Sequence, residues 1–148
     1  MHKASRHIVN FCVEHKIGTV VPGRNKQWKD SIQLGKKTNQ NFVSIPFCKF
    51  INMLRYKCKL AGIALAEQEE SYTSKCDSLA LESVEKHEEY KGKRTFRGLF
   101  KSSTGKVLNA DINGALNIVR KFLKVADESF VKRIISKGLF VRPHILTF

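Results

Sequence analysis

Two acidic residues in a strongly basic chain define the chemistry open to this sequence. Asp111 stands in the segment Asn109-Ala110-Asp111-Ile112-Asn113-Gly114-Ala115-Leu116-Asn117-Ile118, where it opens a helix. Glu70 stands in Glu69-Glu70-Ser71-Tyr72-Thr73-Ser74-Lys75, where it ends a strand. Acids at a strand end and on the first turn of a later helix can converge at the carboxyl edge of a sheet, where open α/β folds place their sites. Carboxylates so placed suit Mg²⁺ or Mn²⁺, since hard cations favour oxygen ligands. Two such ions roughly 3.5–4 Å apart cleave phosphodiesters, one activating water and the other stabilising the leaving oxygen. Each acid also has a plainer role: Asp111 as a charge favourable to a helix N-terminus, Glu70 as a solvated strand end.

The rest of the composition favours a polyanionic partner. The 148 residues carry 27 Lys and Arg against 13 Asp and Glu, a net charge of +14. Such a surface concentrates nucleic acid and binds it in a salt-dependent manner through counterion release; the alternative is a basic but inert surface. Membrane binding ranks lower, and no membrane partner is expected, because no apolar run approaches the roughly 20 residues that span a bilayer. The N-terminus, Met1-His2-Lys3-Ala4-Ser5-Arg6, lacks the apolar region of a signal peptide. A cytoplasmic location is expected.

The cysteines do not suggest a metal centre. Cys12, Cys48, Cys58 and Cys76 form no C-x-x-C pair and no regular framework, so reduced thiols are expected. Cys12 and His15 make a C-x-x-H pair, but structural zinc takes four ligands and both lie in an amphipathic helix.

The elements that must position the acids follow from periodicity. Ala4, Ile8, Phe11 and Cys12 recur at helical spacing from His2 to His15. Ile17-Gly18-Thr19-Val20-Val21, closed by Pro22-Gly23, reads as a strand buried on both faces. Residues 24–41 read as a polar, basic loop. There Arg24, Lys26 and Lys29 surround Trp28, the only tryptophan, a combination that suits phosphate contact and base stacking; a loop tryptophan can also simply pack onto its domain. Ser44 can cap a second helix with Pro46 in its first turn and Phe47, Phe50, Ile51, Leu54 and Cys58 on one stripe. Gly62 is placed to end it, and Ile63 to Ala66 begin a strand that turns acidic at Glu67, Glu69 and Glu70. Strand, helix and strand in this order predict a parallel pair. Residues 71–108 show no sustained period and read as a long loop, with Arg94, Arg97 and Lys101 as further candidate phosphate contacts. A third helix covers Ala110 to Leu123, with Ile112, Leu116, Val119 and Leu123 on one stripe. A short basic helix near Phe130 to Ser136 and an apolar tail, Leu139 to Phe148, complete what reads as a single α/β domain.

Several blocks in order resemble one family. They are Ile17-Gly18-Thr19-Val20-Val21, Asn25-Lys26-Gln27-Trp28-Lys29, Asn41-Phe42-Val43-Ser44-Ile45-Pro46-Phe47, Tyr56-Lys57, Gly62-Ile63, Glu70-Ser71-Tyr72-Thr73-Ser74-Lys75, Arg97-Gly98-Leu99-Phe100 and Asn109-Ala110-Asp111-Ile112-Asn113-Gly114-Ala115. Together they resemble the C-terminal half of TnpB (OrfB), a family of insertion-sequence transposon proteins. The resemblance implies an RNase H-like, RuvC-type core, here partial and lacking the N-terminal hairpin strands. It also implies an RNA-guided, Mg²⁺-dependent DNA endonuclease as the full-length relative, with DNA and guide RNA as partners and a nucleoid-associated location. By analogy, base pairing would read the sequence while the protein holds the heteroduplex.

Within that resemblance Asp111 matches the family's last catalytic aspartate. The family's middle glutamate ends the strand corresponding to Val20-Val21-Pro22, where this chain has Gly23-Arg24-Asn25. Glu70 is therefore expected to replace it as catalytic residue and metal ligand, ahead of Glu69 and Glu67. The family's zinc knuckles have only Cys76 as counterpart, so the chain resembles a zinc-ribbon-less branch with a metal-free loop at 71–108 and no zinc. The first catalytic aspartate has no counterpart. A truncated member without autonomous cleavage is expected, self-associating or docking on a separate N-terminal fragment. The alternatives are a nuclease-dead nucleic-acid-binding regulator and a decayed transposase remnant.

Overall fold

Helical spacing of apolar residues produces a shared core where the helices can face one another, and both early helices do so. The computed structural model describes residues 1–24, 47–124, 129 and 133. The chain divides into two compact units, Met1–Glu67 and Gln68–Thr147. The expected cap at Ser44 and Pro46 and the C-terminal tail lie outside the described residues, and of the expected basic helix only Ser129 and Arg133, both helical, border or fall in it.

The first unit holds α1 (His2–Glu14), β1 (Thr19–Val20), β2 (Gly23–Arg24), α2 (Phe47–Leu60) and β3 (Ala64–Leu65). Its core is Val9, Cys12, Leu54, Cys58 and Ile63, with Ile8, Ile17, Val20, Phe50, Ile51 and Leu65 packed around it. As expected, β1 and β3 pair in parallel, Thr19 opposite Ala64 and Val20 opposite Leu65. Gly62, at φ +71°, makes the reversal, after which Ile63 N–H donates to Cys58 O (2.9 Å) and Ala64 N–H to Gly18 O (2.9 Å). The left-handed conformation is the one that glycine adopts without a Cβ penalty. Burial on both faces of β1 is not observed: Thr19 is exposed and Val20 half-buried, because a two-residue strand in a two-stranded sheet lacks the second layer that would cover it.

The buried stripe of α1 is also rotated from the expected one. Ser5, Val9 and Cys12 are buried, whereas Phe11 is 44% exposed and stacks on His15 with ring centroids 4.0 Å apart. A lysine explains the shift. Lys57, only 3% exposed, reaches from α2 to donate to Ser5 Oγ (2.6 Å) and His2 O (2.9 Å), and a buried ammonium needs such partners.

The second unit holds β4 (Gln68–Glu69), β5 (Lys93–Phe96), β6 (Leu99–Lys101), β7 (Val107–Asn109) and α3 (Ala110–Leu123). The reading of 71–108 as an irregular loop is corrected here, since residues 93–109 form a three-stranded antiparallel meander in the order β5-β6-β7. Phe100 lies opposite Leu108, and the two join Leu79, Ala110 and Leu116 in the core. Leu99, Lys101 and Val107 point the other way and are exposed. With only three residues in each of β6 and β7, that alternation is too short to stand out in the sequence.

Residues 71–92 have no regular structure and are secured by buried polar groups instead. Asp77, fully buried, accepts from Ser102 Oγ (2.9 Å), Ser103 N–H (2.7 Å), Ser103 Oγ (3.0 Å) and the N–H groups of Leu79 and Ala80 (3.2 Å each). Glu82, 4% exposed, accepts from the backbone N–H of Asp77 (2.7 Å) and of Lys91 (2.9 Å). From α3, Asn113 donates to Cys76 O (2.9 Å) and accepts from Ser78 N–H (3.1 Å). Asn117 donates to Thr73 O (2.9 Å) and Cys76 O (2.7 Å). Arg120 donates to Asn117 Oδ1 (2.7 Å) and Glu82 O (3.1 Å). The buried face of α3 is therefore Ala110, Asn113, Leu116, Asn117 and Arg120; of the apolar stripe expected, Leu116 is in the core and Ile112 packs against it, whereas Leu123 is 46% exposed.

A buried polar group stripped of its partner costs ~1–3 kcal/mol. Asn117→Ala strands Thr73 O and removes the acceptor of Arg120, so it is expected to lower stability by at least ~2 kcal/mol. Urea denaturation checks this, and Asn117→Asp, which keeps the acceptor for Arg120, should be milder than Ala only if that acceptor matters.

Candidate nucleic-acid interface and acidic pair

The N-terminus of α3 is organised by Asn109, whose extended backbone and side-chain oxygen cap the helix. Asn109 Oδ1 accepts from the N–H of Asp111 (2.8 Å) and Ile112 (3.2 Å), the usual work of an asparagine at this position. Asp111 is left exposed in the first turn. Its carboxylate accepts no hydrogen bond among the described residues, and its charge suits the helix N-terminus.

The three acids near the end of the β3–β4 stretch are not equivalent. In the first unit, Glu67 pairs with Arg24 at 3.2 Å and with Arg55. In the second unit, Glu69 pairs with Lys121 of α3 and accepts from Ser71. The Lys121 and Ser71 hydrogen bonds bring the Glu69 carboxyl down to about 2 from an ordinary 4.5. Glu70 is half-buried, and its carboxylate has no hydrogen-bond or ion-pair partner among the described residues. Burial, and then the negative charge of Glu69, push its pKa up. Glu67 and Glu69 are thus engaged in holding structure, while Glu70 and Asp111 keep uncommitted carboxylates.

Oxygen donors of this kind suit Mg²⁺. Among the described residues, however, no three His, Cys, Asp or Glu side chains gather into a metal-holding group. Two carboxylates alone do not make a two-metal site, and no catalytic step follows from them. Cys12 and His15 do not combine either: His15 Nδ1 bonds to Phe11 O (2.9 Å), and Cys12 is buried beside Cys58, with burial raising both thiol pKa values.

The candidate phosphate contacts separate in a similar way. Lys26, Trp28 and Lys29 lie outside the described residues. Arg24 is exposed but engaged with Glu67. Arg94, Arg97 and Lys101 are exposed on the β5–β6 hairpin and form no salt bridge among the described residues. Lys93 stands directly opposite Lys101 across the strand pair. Like charges directly opposite one another destabilise a sheet, and an anion between them would relieve that cost. Phe96, 74% exposed, sits among these cations. Sequence reading passed over Lys93 because its cross-strand neighbour is unknown until the register is.

Comparison with known proteins adds family evidence. Residues 47–118 match the family model of the Cas12f1-like TNB domain. This TNB-like segment begins with α2, runs through Glu70, the buried polar network and the cationic hairpin, and ends within α3 beyond Asp111. Among solved structures, the chain is similar to one in the cryo-EM structure of the Cas12f1–sgRNA–target DNA complex. The TM-score is 0.55 and the identity 23%, over 79% of this chain and 32% of that one. At that identity the likeness is one of fold, a mixed α/β arrangement with small sheets. The chain spans about a third of the length of that structural relative. No curated protein matches the chain. Among the described residues no helix is long and apolar enough to cross a membrane.

The Glu69–Lys121 pair makes a pH prediction. Because the folded pKa of Glu69 lies below its ordinary value, its contribution is fully present above pH 4.5 and is lost as pH falls towards about 2. Lys121→Met removes the main cause of the shift. Over that window, stability of the wild type should fall more steeply than that of the variant, while other acids, Glu70 included, contribute to both. The pair is partly exposed, so the difference should be small and reduced further by salt. Parallel acid limbs in thermal melts would reject the assignment.

Proposed function

We propose that this chain is a nucleic-acid-binding part of a TnpB-related, transposon-encoded protein, built on an RNase H-like, RuvC-type core. Guide RNA and DNA are its partners in this reading, by analogy with the sgRNA and target DNA in the Cas12f1 complex. The observation that carries it is the coincidence of the Cas12f1-like TNB match over residues 47–118 with the exposed cations Lys93, Arg94, Arg97 and Lys101 on the hairpin inside that stretch.

Asp111 and Glu70 are the proposed Mg²⁺ ligands, supported by their uncommitted carboxylates and by the engagement of Glu67 and Glu69 elsewhere. When bound, the metal would supply water activation and charge stabilisation at a phosphodiester. A two-carboxylate set leaves the chain without cleavage of its own. The nuclease-dead regulator shares the binding surface and differs only in having no metal dependence; the absence of a three-ligand group among the described residues favours it as the second reading.

Binding of the purified chain to labelled single-stranded DNA, duplex DNA and structured RNA should weaken steeply with salt, persist in EDTA and yield no cleavage products. Arg97→Ala should lower affinity evenly across sequences and flatten the slope of log affinity against log salt by about one unit. Absence of binding at low salt would refute the function. Mg²⁺-dependent products that disappear in Asp111→Ala would refute the inactivity.

A further inference from the structure

Between the turns that follow Glu70 and strand β5 lies a cleft of about 360 Å³. This falls near the lower end of the ~300–1,000 Å³ range of small-ligand sites. Ser74, Lys75, Tyr90, Lys93 and Arg94 line it, with Gly92 and the buried ring of Phe100 behind them. No acid lines it, and Lys75, Lys93 and Arg94 form no salt bridge among the described residues. The carboxylate of Asp77, behind Gly92, is fully buried and already bound to Ser102 and Ser103, and that of Glu82 is bound to the backbone N–H groups of Asp77 and Lys91. Lys75 Nζ stands 5.8 Å from the centre of the Tyr90 ring, and His87 packs edge-on against that ring at 5.4 Å, which fixes one aromatic wall.

Glycine is required at the back of the cleft. A Cβ on residue 92 would lie 2.5 Å from Phe100 Cε1 and 3.1 Å from Asp77 Oδ2, so any side chain there would force the buried Phe100 ring to shift.

Three cations, a hydroxyl and an aromatic wall around a volume of this size fit one nucleotide, base against Tyr90 and phosphate against Arg94 and Lys93. A paired base inside a duplex cannot enter such a cleft, whereas the unstacked bases of a single strand present their faces to aromatic side chains. We infer that this cleft captures one unstacked nucleotide of a single-stranded nucleic acid, the strand's phosphates continuing over the cationic β5–β6 hairpin. The inference rests on the nucleic-acid-binding reading above and adds to it a strand state and a subsite.

The test uses the full chain and a short single strand, DNA or RNA, carrying a fluorescent adenine analogue whose emission is quenched by stacking. Base–aromatic stacking is worth enough that Tyr90→Ala should weaken single-strand binding about tenfold and abolish the quenching. Tyr90→Phe should restore both, because it keeps the ring. Arg94→Gln should weaken binding beyond Lys86→Ala, which removes an exposed charge outside the cleft. Duplex binding should change little in Tyr90→Ala. If the wild type binds no strand at low salt, the nucleic-acid reading itself fails. If it binds and Tyr90→Ala and Arg94→Gln behave as Lys86→Ala does, or single strand and duplex lose affinity equally, the cleft is not the subsite.

Discussion

The second unit depends on one constraint: the polar groups buried along residues 73–82 need partners, which α3 and the 102–103 turn largely supply. Asn113, Asn117 and Arg120 lie at helical spacing on one face and are buried together. They take up Thr73 O, Cys76 O, Ser78 N–H and Glu82 O, while Asp77 binds the Ser102–Ser103 turn. An irregular segment can be buried only if its backbone is paired in this way. The small apolar cluster around Phe100 and Leu108 is insufficient to order residues 71–92 by itself. The polar contacts specify which turn lies against which part of the helix.

The same constraint divides the Asn109–Ile118 segment into two roles. Asn109 caps the helix and Asn113 and Asn117 anchor the 73–78 turns, all as structure. Asp111, two residues from the cap Asn109 and two from the anchor Asn113, is rotated off that face and remains exposed. A helical period of 3.6 residues separates these roles within a single turn. The Glu69–Glu70 pair is divided similarly. Lys121 and Ser71 hold Glu69 as a low-pKa carboxylate, and that negative charge, added to burial, raises the pKa of Glu70. A cation bound at Glu70 would relieve both effects.

Charge is distributed with equal selectivity. Arg24 and Arg55 converge on Glu67, and Lys57 is buried under α1, so part of the positive charge is used internally. The cations of the β5–β6 hairpin are exposed, and two of them face each other across the strands. A sheet tolerates that arrangement more easily when an anion lies across it.

The sequence by itself determined the three long helices, the parallel pairing of β1 with β3, the stop at Gly62 and the excess of positive charge, because these rest on local periodicity, on a glycine's access to positive φ and on composition. It also brought Asp111 and Glu70 to notice, through residue order and family resemblance. The β5–β7 meander, the polar face of α3, the burial of Lys57 and the cleft beside Tyr90 were decided only by the tertiary structure. Three-residue strands carry no readable period, and a buried asparagine or lysine looks like a surface residue until its distant partners are in place. Thr73 and Cys76 lie some forty residues from Asn117, and the energy that makes burial of those groups favourable exists only when the chain has brought them together.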